Sequence, residues 1–185
     1  WPADAGLETW MIFHEGFDLP EFASFVLLDD PRGKDALRRW FNDFVAMARA
    51  GGTGFVLDTA TWRANMGWAA ALGLDEVGIC RVNAEAVSFA RALRDQHETA
   101  TLQILINGVI GPLGDGYRVD ASRAVDEAER LHRPQVRALA DAGVDMVTAV
   151  TMTHAEEAIG AARAAQAEGV PHVLSFTVET DGNLP

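Results

Sequence analysis

Small polar side chains recur at the predicted carboxyl ends of strands along this 185-residue chain. In parallel α/β folds, ligands bind just beyond those strand ends, so we expect the side chains to share one pocket. They supply hydroxyl, amide and carboxylate groups, which suit the ammonium of a small zwitterion or a metal held partly by other residues. Turn and cap formation is the alternative explanation for each of them. The predicted ligand contacts are Asp4, Thr59, Thr61, Asn65, Asn107, Gly108, Thr151, Ser175 and Glu179, and Glu8 and Asp58 belong to the same polar set.

Motifs for several other chemistries are missing from the sequence. The glycine-rich stretch 111–116 lacks the Walker lysine and the G-x-G-x-x-G spacing, so it predicts a tight turn near a ligand and not a phosphate cradle. The five histidines show no paired ligand spacing, and Cys80 is the single cysteine. The chain alone therefore predicts no metal site and no internal disulfide.

The composition narrows the class of protein. Hydrophobic residues make up 49% and charged residues 23% of the chain, which is typical of a globular domain. A net charge of −12 without a basic stripe argues against nucleic acid as a partner. The sequence has no signal peptide and no membrane-length apolar run, so it predicts a cytoplasmic protein with no membrane partner. Because the chain begins at Trp1 and ends just after a turn, we expect both termini to be cut points.

Strand and helix periodicities alternate along the chain, which indicates βα units. The predicted strands cover residues 7–13, 54–58, 101–106, 145–150 and 172–178. The predicted helices cover residues 34–50, 83–96, 122–143 and 153–169, with Ser122 as a cap, a kink or break at Pro134, and a capping box from Thr153 to Glu156. Two folds fit this pattern: a complete doubly wound sheet, or a (β/α)₈ barrel of about 250 residues lacking roughly its last three units.

A series of short motifs spans the whole chain. Their order resembles that of the homocysteine S-methyltransferase family, which includes betaine–homocysteine methyltransferases and the homocysteine domain of cobalamin-dependent methionine synthase. The motifs are Asp-Ala-Gly-Leu-Glu-Thr at 4–9, Thr-Ala-Thr-Trp-Arg-Ala-Asn at 59–65, Asn-Ala-Glu-Ala-Val at 83–87, Gly-Val-Ile-Gly-Pro-Leu-Gly at 108–114, His-Arg-Pro-Gln at 132–135, Ala-Gly-Val-Asp at 142–145, Glu-Ala at 157–158 and Ser-Phe-Thr-Val at 175–178.

The resemblance implies a fold and an activity. The fold is an α/β (β/α)₈ TIM barrel, with residues 1–185 as the N-terminal part of a single domain containing about five units. The activity is methyl transfer from a small-molecule donor to the thiol of homocysteine, or to a related thiol or selenol, in methionine biosynthesis. Zn²⁺ would hold the acceptor as a thiolate, bound by cysteines in Gly-x-Asn-Cys and Gly-Gly-Cys-Cys segments that would lie beyond Pro185.

Two departures from the family pattern bear on the acceptor. Ala5 and Glu8 replace glycines of the opening motif, and Val150 replaces a glutamate that helps to hold the homocysteine amino group. Because valine cannot pair with an ammonium, either another acid such as Asp4 or Glu179 does so, or the acceptor differs. The alternatives are a zinc-free barrel enzyme of the aldolase or isomerase type and a non-catalytic truncated barrel. Exposed sheet edges would favour a homo-oligomer.

Overall fold

The computed structural model describes residues 1–116 and 122–184 as alternating helices and parallel strands. The α-helices are α1 (Leu7–Phe13), α2 (Pro31–Ala50), α3 (Glu76–His97), α4 (Val125–Ala142) and α5 (Ala155–Ala167). The strands are β1 (Phe55–Asp58), β2 (Ile104–Ile110), β3 (Met146–Met152) and β4 (His172–Phe176). Short 3₁₀ turns at Pro20–Phe22 and Ser24–Asp29 connect α1 to α2. Within these ranges, no helix is both long and apolar enough to cross a bilayer.

The strands of the described region form one parallel sheet whose spatial order, β1-β2-β3-β4, equals their order along the chain. A doubly wound sheet requires a reversal of strand order, and ligands bind at that reversal. This sheet has no reversal, so the doubly wound alternative is wrong. Helices α3, α4 and α5 instead each carry the chain forward by one position in the sheet.

The N-terminal segment joins the sheet by one bridge. Ala3 pairs in parallel with Val56, whose amide donates to the Pro2 carbonyl at 2.9 Å. The strand predicted over residues 7–13 is wrong, because this run forms α1. Leu7 and Met11, four residues apart, are buried, whereas Phe13 is 74% exposed. The run therefore has the periodicity of a helix and not of a strand.

Other predicted boundaries also change. β2 extends to Ile110, so Asn107 and Gly108 lie inside the strand and not after it. The glycine lets α4 approach β2, since a Cβ atom on Gly108 would lie 2.8 Å from a Leu139 methyl group. α4 continues unbroken through Pro134 because packing against α3 and α5 supports it on two sides.

The two predicted N-terminal helix caps, of α4 and α5, are wrong. α4 begins after Ala124, which has no side-chain cap, and not at Ser122. α5 begins at Ala155 and has no side-chain cap either, so Thr153 and Glu156 form no capping box. The carboxylate of Glu156 instead accepts a hydrogen bond from the Ser122 hydroxyl at 3.3 Å. At its other end, α4 stops as predicted at Gly143, which has a φ of 86°.

The two faces of the sheet differ in character. Phe55 and Leu57 of β1 are buried in the core that the sheet forms with the helices, whereas Val56 and Asp58 are only half-buried. Because successive side chains of a strand point to opposite faces, Asp58 lies on the face away from the helices. Its neighbour in the parallel register is Asn107 of β2. This second face therefore carries polar groups toward the carboxyl ends of the strands.

Candidate functional site

A cavity of about 330 Å³ lies at the carboxyl ends of β1, β2 and β3. Two groups of residues line it, one from the N-terminal segment and one from the strand ends and the loops that follow them. They are residues 4–9 with Phe22, and Asp58, Thr59, Trp62, Val109, Val150 and Thr151. The structure thus brings together three of the predicted contacts, Asp4, Thr59 and Thr151, and adds Glu8 and Asp58. Among the described residues that line the cavity there is no lysine, arginine or histidine.

Three carboxyl groups, those of Asp4, Glu8 and Asp58, form one wall of the cavity, and Asp4 is the first of them. Its Oδ2 accepts a hydrogen bond from the indole Nε1 of Trp40 at 2.8 Å. Its Oδ1 is buried and has no hydrogen-bond partner among the described residues. Burial, with the negative charge of Asp58 adding to it, raises the pKa of Asp4 to about 7. Asp4 therefore has one oxygen committed to the fold and one without a hydrogen-bond partner among the described residues.

Asp58 is the second carboxyl group, at the end of β1. Burial raises its pKa to about 6, with Glu8 adding to the rise and a hydrogen bond from Asn107 opposing it. The Asn107 amide donates to Asp58 Oδ1 at 2.7 Å and accepts from the Thr148 hydroxyl at 2.9 Å. Asn107 does not line the cavity, but it orients a side chain that does.

Glu8, the third carboxyl group, stands at the start of α1. Its Oε1 accepts a hydrogen bond from the buried Ser24 hydroxyl at 2.7 Å. Burial raises its pKa, while Ser24 and the charge of Arg63 oppose the rise. Three carboxyl groups on one side of a cavity, with no basic side chain in the described part of its lining, make a site suited to a cation.

The opposite side of the cavity is largely apolar and includes a strained residue. Thr151 has a φ of 58°, a conformation that β-branched residues rarely adopt. Its hydroxyl donates to the Val150 carbonyl at 2.6 Å and accepts from Trp62 Nε1 at 3.1 Å. The strain lies where the register between β3 and β4 shifts. These bonds fix the indole and the Val150 backbone as one wall.

Thr59 and Thr61 have different positions although both follow β1. Thr59 lines the cavity, and its Oγ1 accepts from the Val109 amide at 3.1 Å. Thr61 is fully buried, lies 2.6 Å from Thr59 Oγ1, and donates to the Val109 carbonyl at 2.7 Å. Thr61 thus ties the loop after β1 to β2 behind the cavity wall.

The remaining predicted contacts lie away from the cavity. Asn65 is fully buried and donates to the Gly111 carbonyl at 3.1 Å, and Gly108 packs against α4. Ser175 is exposed on β4, and Glu179 is exposed in the turn that its amide closes onto the Asn183 carbonyl at 2.8 Å. The ligand contacts predicted from the sequence did not include Asp58, although an acidic residue at the last position of a buried strand indicates a side chain at the carboxyl edge of the sheet.

The described residues do not fit a metal. They contain no group of three or more His, Cys, Asp or Glu side chains arranged to hold an ion. Cys80 lies on α3, where its thiol faces the Pro134 carbonyl of α4 at 3.8 Å, outside the cavity. Burial raises the pKa of this thiol, which disfavours the thiolate that a metal requires.

Comparison with known proteins identifies the family. The family model for homocysteine S-methyltransferase matches residues 3–185. This chain belongs to the homocysteine S-methyltransferase family. The resemblance seen in the sequence motifs is confirmed, and the family is one of enzymes.

Individual members of the homocysteine S-methyltransferase family match at moderate identity. The homocysteine S-methyltransferase of Escherichia coli strain K12 is 34% identical over 108 residues, which are 54% of this chain and 35% of that protein. Crystal structures of the E. coli homocysteine methyltransferase MmuM match over 98% of this chain. The oxidized form gives a TM-score of 0.79 at 26% identity over 63% of MmuM, and the metallated form 0.76 at 25% over 64%. The chain thus spans less than two thirds of these relatives.

Proposed function

We propose that the full-length protein transfers a methyl group from a small-molecule donor to the sulfur of homocysteine or of a related thiol or selenol. The observation that carries this proposal is the wall formed by Asp4, Glu8 and Asp58 in a chain of this family. Such a wall attracts the ammonium of an amino acid. The apolar wall opposite, with Trp62 and Val150, suits the methylene groups that lead to the sulfur.

In this proposal, the acids of the cavity wall take the role of the family glutamate that Val150 replaces. A bound ammonium needs acidic partners, and Glu179 lies in an exposed turn outside the cavity lining. Asp58 and Glu8 line the cavity with Asp4, and Asn107 aims the Asp58 carboxylate. Asp4 and Asp58 are therefore the proposed ammonium partners, and Thr59 and Thr151 the proposed hydroxyl contacts.

The proposed fold of the full-length protein is a (β/α)₈ barrel, of which residues 1–185 form the N-terminal part of one domain. The sequential parallel order, the bridge at Ala3 and the overlap with MmuM support it. On β4, Val173 is 48% and Phe176 40% exposed. Because an exposed apolar strand pairs readily with another chain, self-association of this region is part of the proposal.

Zn²⁺ dependence of the full-length protein is also proposed. MmuM has a metallated form, and the sequence resemblance puts the zinc-binding cysteines of the family after the position of Pro185. The described residues offer no ligand set, so their proposed task is to bind and orient the amino acid part of the acceptor. When bound, zinc would supply the thiolate at neutral pH.

The test compares two ligands on the full-length protein by calorimetry. Homocysteine should bind at least about tenfold more tightly than 4-mercaptobutyrate, which lacks the amino group, because a charged hydrogen bond contributes about 1.5–3 kcal/mol. Asp58→Asn should reduce that preference, whereas Asp43→Asn on the exposed side of α2 should not. Methionine formation from homocysteine with small methyl donors tests the reaction itself. Equal affinities for the two thiols would contradict the ammonium subsite.

A further inference from the structure

Arg63 is almost fully buried although it carries a permanent charge, with 3% of its surface exposed. Its guanidinium carbon lies 3.9 Å from the ring centre of Trp62 and 3.8 Å from that of Trp68. Stacking between two indoles stabilises a desolvated guanidinium through cation–π attraction. The planar group is thereby held in one orientation, with its N–H bonds directed sideways out of the stack.

Those N–H bonds connect two segments that are distant in sequence. Nε donates to the Glu21 carbonyl at 3.2 Å, and Nη1 donates to the Gly114 carbonyl at 3.0 Å. The first carbonyl belongs to the turn Pro20–Phe22, before α2. The second belongs to the loop 111–114, after β2. Arg63, in the loop after β1, therefore links them.

The turn that Arg63 holds is strained and contributes to the cavity. Glu21 has a φ of 53° and Phe22 a φ of 59°, in the left-handed region that such residues rarely adopt. Phe22 lines the cavity yet is 46% exposed, so burial of its own ring does little to hold it there. A strained turn persists only where surrounding contacts hold it, and the guanidinium bond to Glu21 is one such contact.

We propose that Arg63 is a positioning residue that clips the Pro20–Phe22 turn to the 111–114 loop and so fixes Phe22 as a wall of the cavity. Arg63 is not among the described residues that line the cavity, and it acts on the cavity through Phe22. The statement about ligand affinity rests on the proposed function, whereas the clip itself does not. The experiment therefore has one arm that needs no ligand and one that uses homocysteine.

The first arm is hydrogen exchange measured by mass spectrometry on the full-length protein. Arg63→Met keeps an apolar chain of similar length between the indoles but removes every donor. Exchange should accelerate in the peptides covering 19–24 and 111–114 and stay unchanged in α4 and α5. Arg32→Met is the matched control, because Arg32 also stacks on a ring, that of Phe17 at 4.2 Å, and donates to a carbonyl, but at the surface. Uniform acceleration, or none, would overturn the clip.

Arg63→Lys separates charge from geometry and serves if Arg63→Met does not fold. A single ammonium keeps the positive charge that faces Glu8, but it lacks the planar fork that reaches two carbonyls at once. The lysine variant should therefore show the same local acceleration. Full protection in Arg63→Lys would mean that charge alone suffices, and the clip would be wrong.

The second arm is a double-mutant cycle for homocysteine affinity. Arg63→Lys, which keeps the positive charge near Glu8, and Phe22→Ala should each weaken binding by roughly fivefold to tenfold, because each removes the same apolar wall. The double variant should be no weaker than either single variant, since a loss transmitted through Phe22 cannot occur twice. If the loss of affinity in the double variant instead equals the product of the two single losses, Arg63 acts on the cavity by another route. If the parent protein does not bind homocysteine while local exchange still accelerates, the proposed function fails and the clip stands.

Discussion

The Asn107 amide donates to Asp58 across neighbouring strands at 2.7 Å, and its own oxygen accepts from Thr148 of the next strand at 2.9 Å. The Asp58 carboxylate fixes which end of the amide faces it, because a carboxylate only accepts and only the NH₂ group can donate, whereas the Thr148 hydroxyl could bond to either end. A hydrogen-bonded row thus crosses three strands and ends at the carboxylate in the cavity wall.

Removing the amide should raise the pKa of Asp58 above its value of about 6. A hydrogen bond to the ionised form lowers a carboxyl pKa, and Asn107→Val deletes that bond while keeping a side chain suited to a strand. NMR titration of the Asp58 carboxyl carbon measures the shift. Thr148→Val is the control, because it leaves the donated bond in place. An unchanged pKa in Asn107→Val would mean that the row does not tune the site.

Asp4 should make the full-length protein less stable as the pH rises from about 4 to 7. Its pKa is about 7 in the folded chain against an ordinary value of 3.8, so the folded state binds more protons in that window and the free energy of unfolding falls with pH. Asp4→Asn keeps an acceptor for Trp40 and removes this dependence. At pH 8 it should raise Tm by about 2–4 °C. Thermal unfolding from pH 4 to 8 measures this, with Asp43→Asn as the control.

Val150→Glu should tighten homocysteine binding by about tenfold. The new carboxylate would face the cavity from β3 and add one charged hydrogen bond to a bound ammonium. A tenfold gain in affinity is at the low end of the range for a charged hydrogen bond. The cavity already holds three carboxyl groups, so a fourth one beside them would be partly protonated. Val150→Gln, with the same length and no charge, is the control in calorimetric titration. If Val150→Glu instead abolishes binding of a thiol without an amino group and leaves homocysteine unbound, the acceptor is a less polar thiol or selenol.

Glu157→Ala should destabilise the fold by about 3–5 kcal/mol, because Glu157 is buried and its removal leaves polar partners unpaired. Its Oε1 lies 3.0 Å from His132 Nε2 and accepts from the Leu113 amide at 2.6 Å. Burial opposes the charge, but these hydrogen bonds outweigh it and hold the pKa of Glu157 below its usual value. The stabilisation is therefore lost as the pH falls below about 4.5. Urea unfolding at pH 7 and pH 4 measures both effects, and Glu157→Gln should lose less at pH 7.

Residues 1–185 on their own should bind no stoichiometric zinc. With one cysteine and no ligand cluster among the described residues, no tetrahedral set forms. Elemental analysis after dialysis should give far less than one zinc per chain. If one zinc ion per chain is retained after dialysis, the prediction is wrong, and the chain has a metal site that neither the sequence spacing nor the described residues indicate.

The sequence predicted the alternation of strands and helices because buried parallel strands and amphipathic helices have distinct periodicities. It failed at residues 7–13, where a short apolar run fits either element, and only packing of Leu7 and Met11 decides. It also ended β2 too early, because Asn107 and Gly108 look like a turn. Inside the sheet, Asn107 donates a hydrogen bond to the neighbouring strand, and Gly108 lets α4 pack closely against β2.

The candidate site was predictable only in part. Strand-end logic placed Thr59 and Thr151 at the edge where the cavity lies, whereas Asp4, which precedes α1, came from the opening motif. Asn65 and Thr61 do not line the cavity, because their side chains bond to the Gly111 and Val109 carbonyls and hold loops together. The side to which a loop residue turns depends on contacts made by distant segments, and no local pattern encodes those.

The sequential order of the sheet bears on how the chain assembles. Each strand pairs with the strand made just before it, as in the registers of Phe55 with Ile104 and of Val147 with His172. A partner edge therefore already exists when each of β2, β3 and β4 leaves the ribosome. Growth can be vectorial, one βα unit at a time, which shortens the interval in which an apolar strand is exposed during translation.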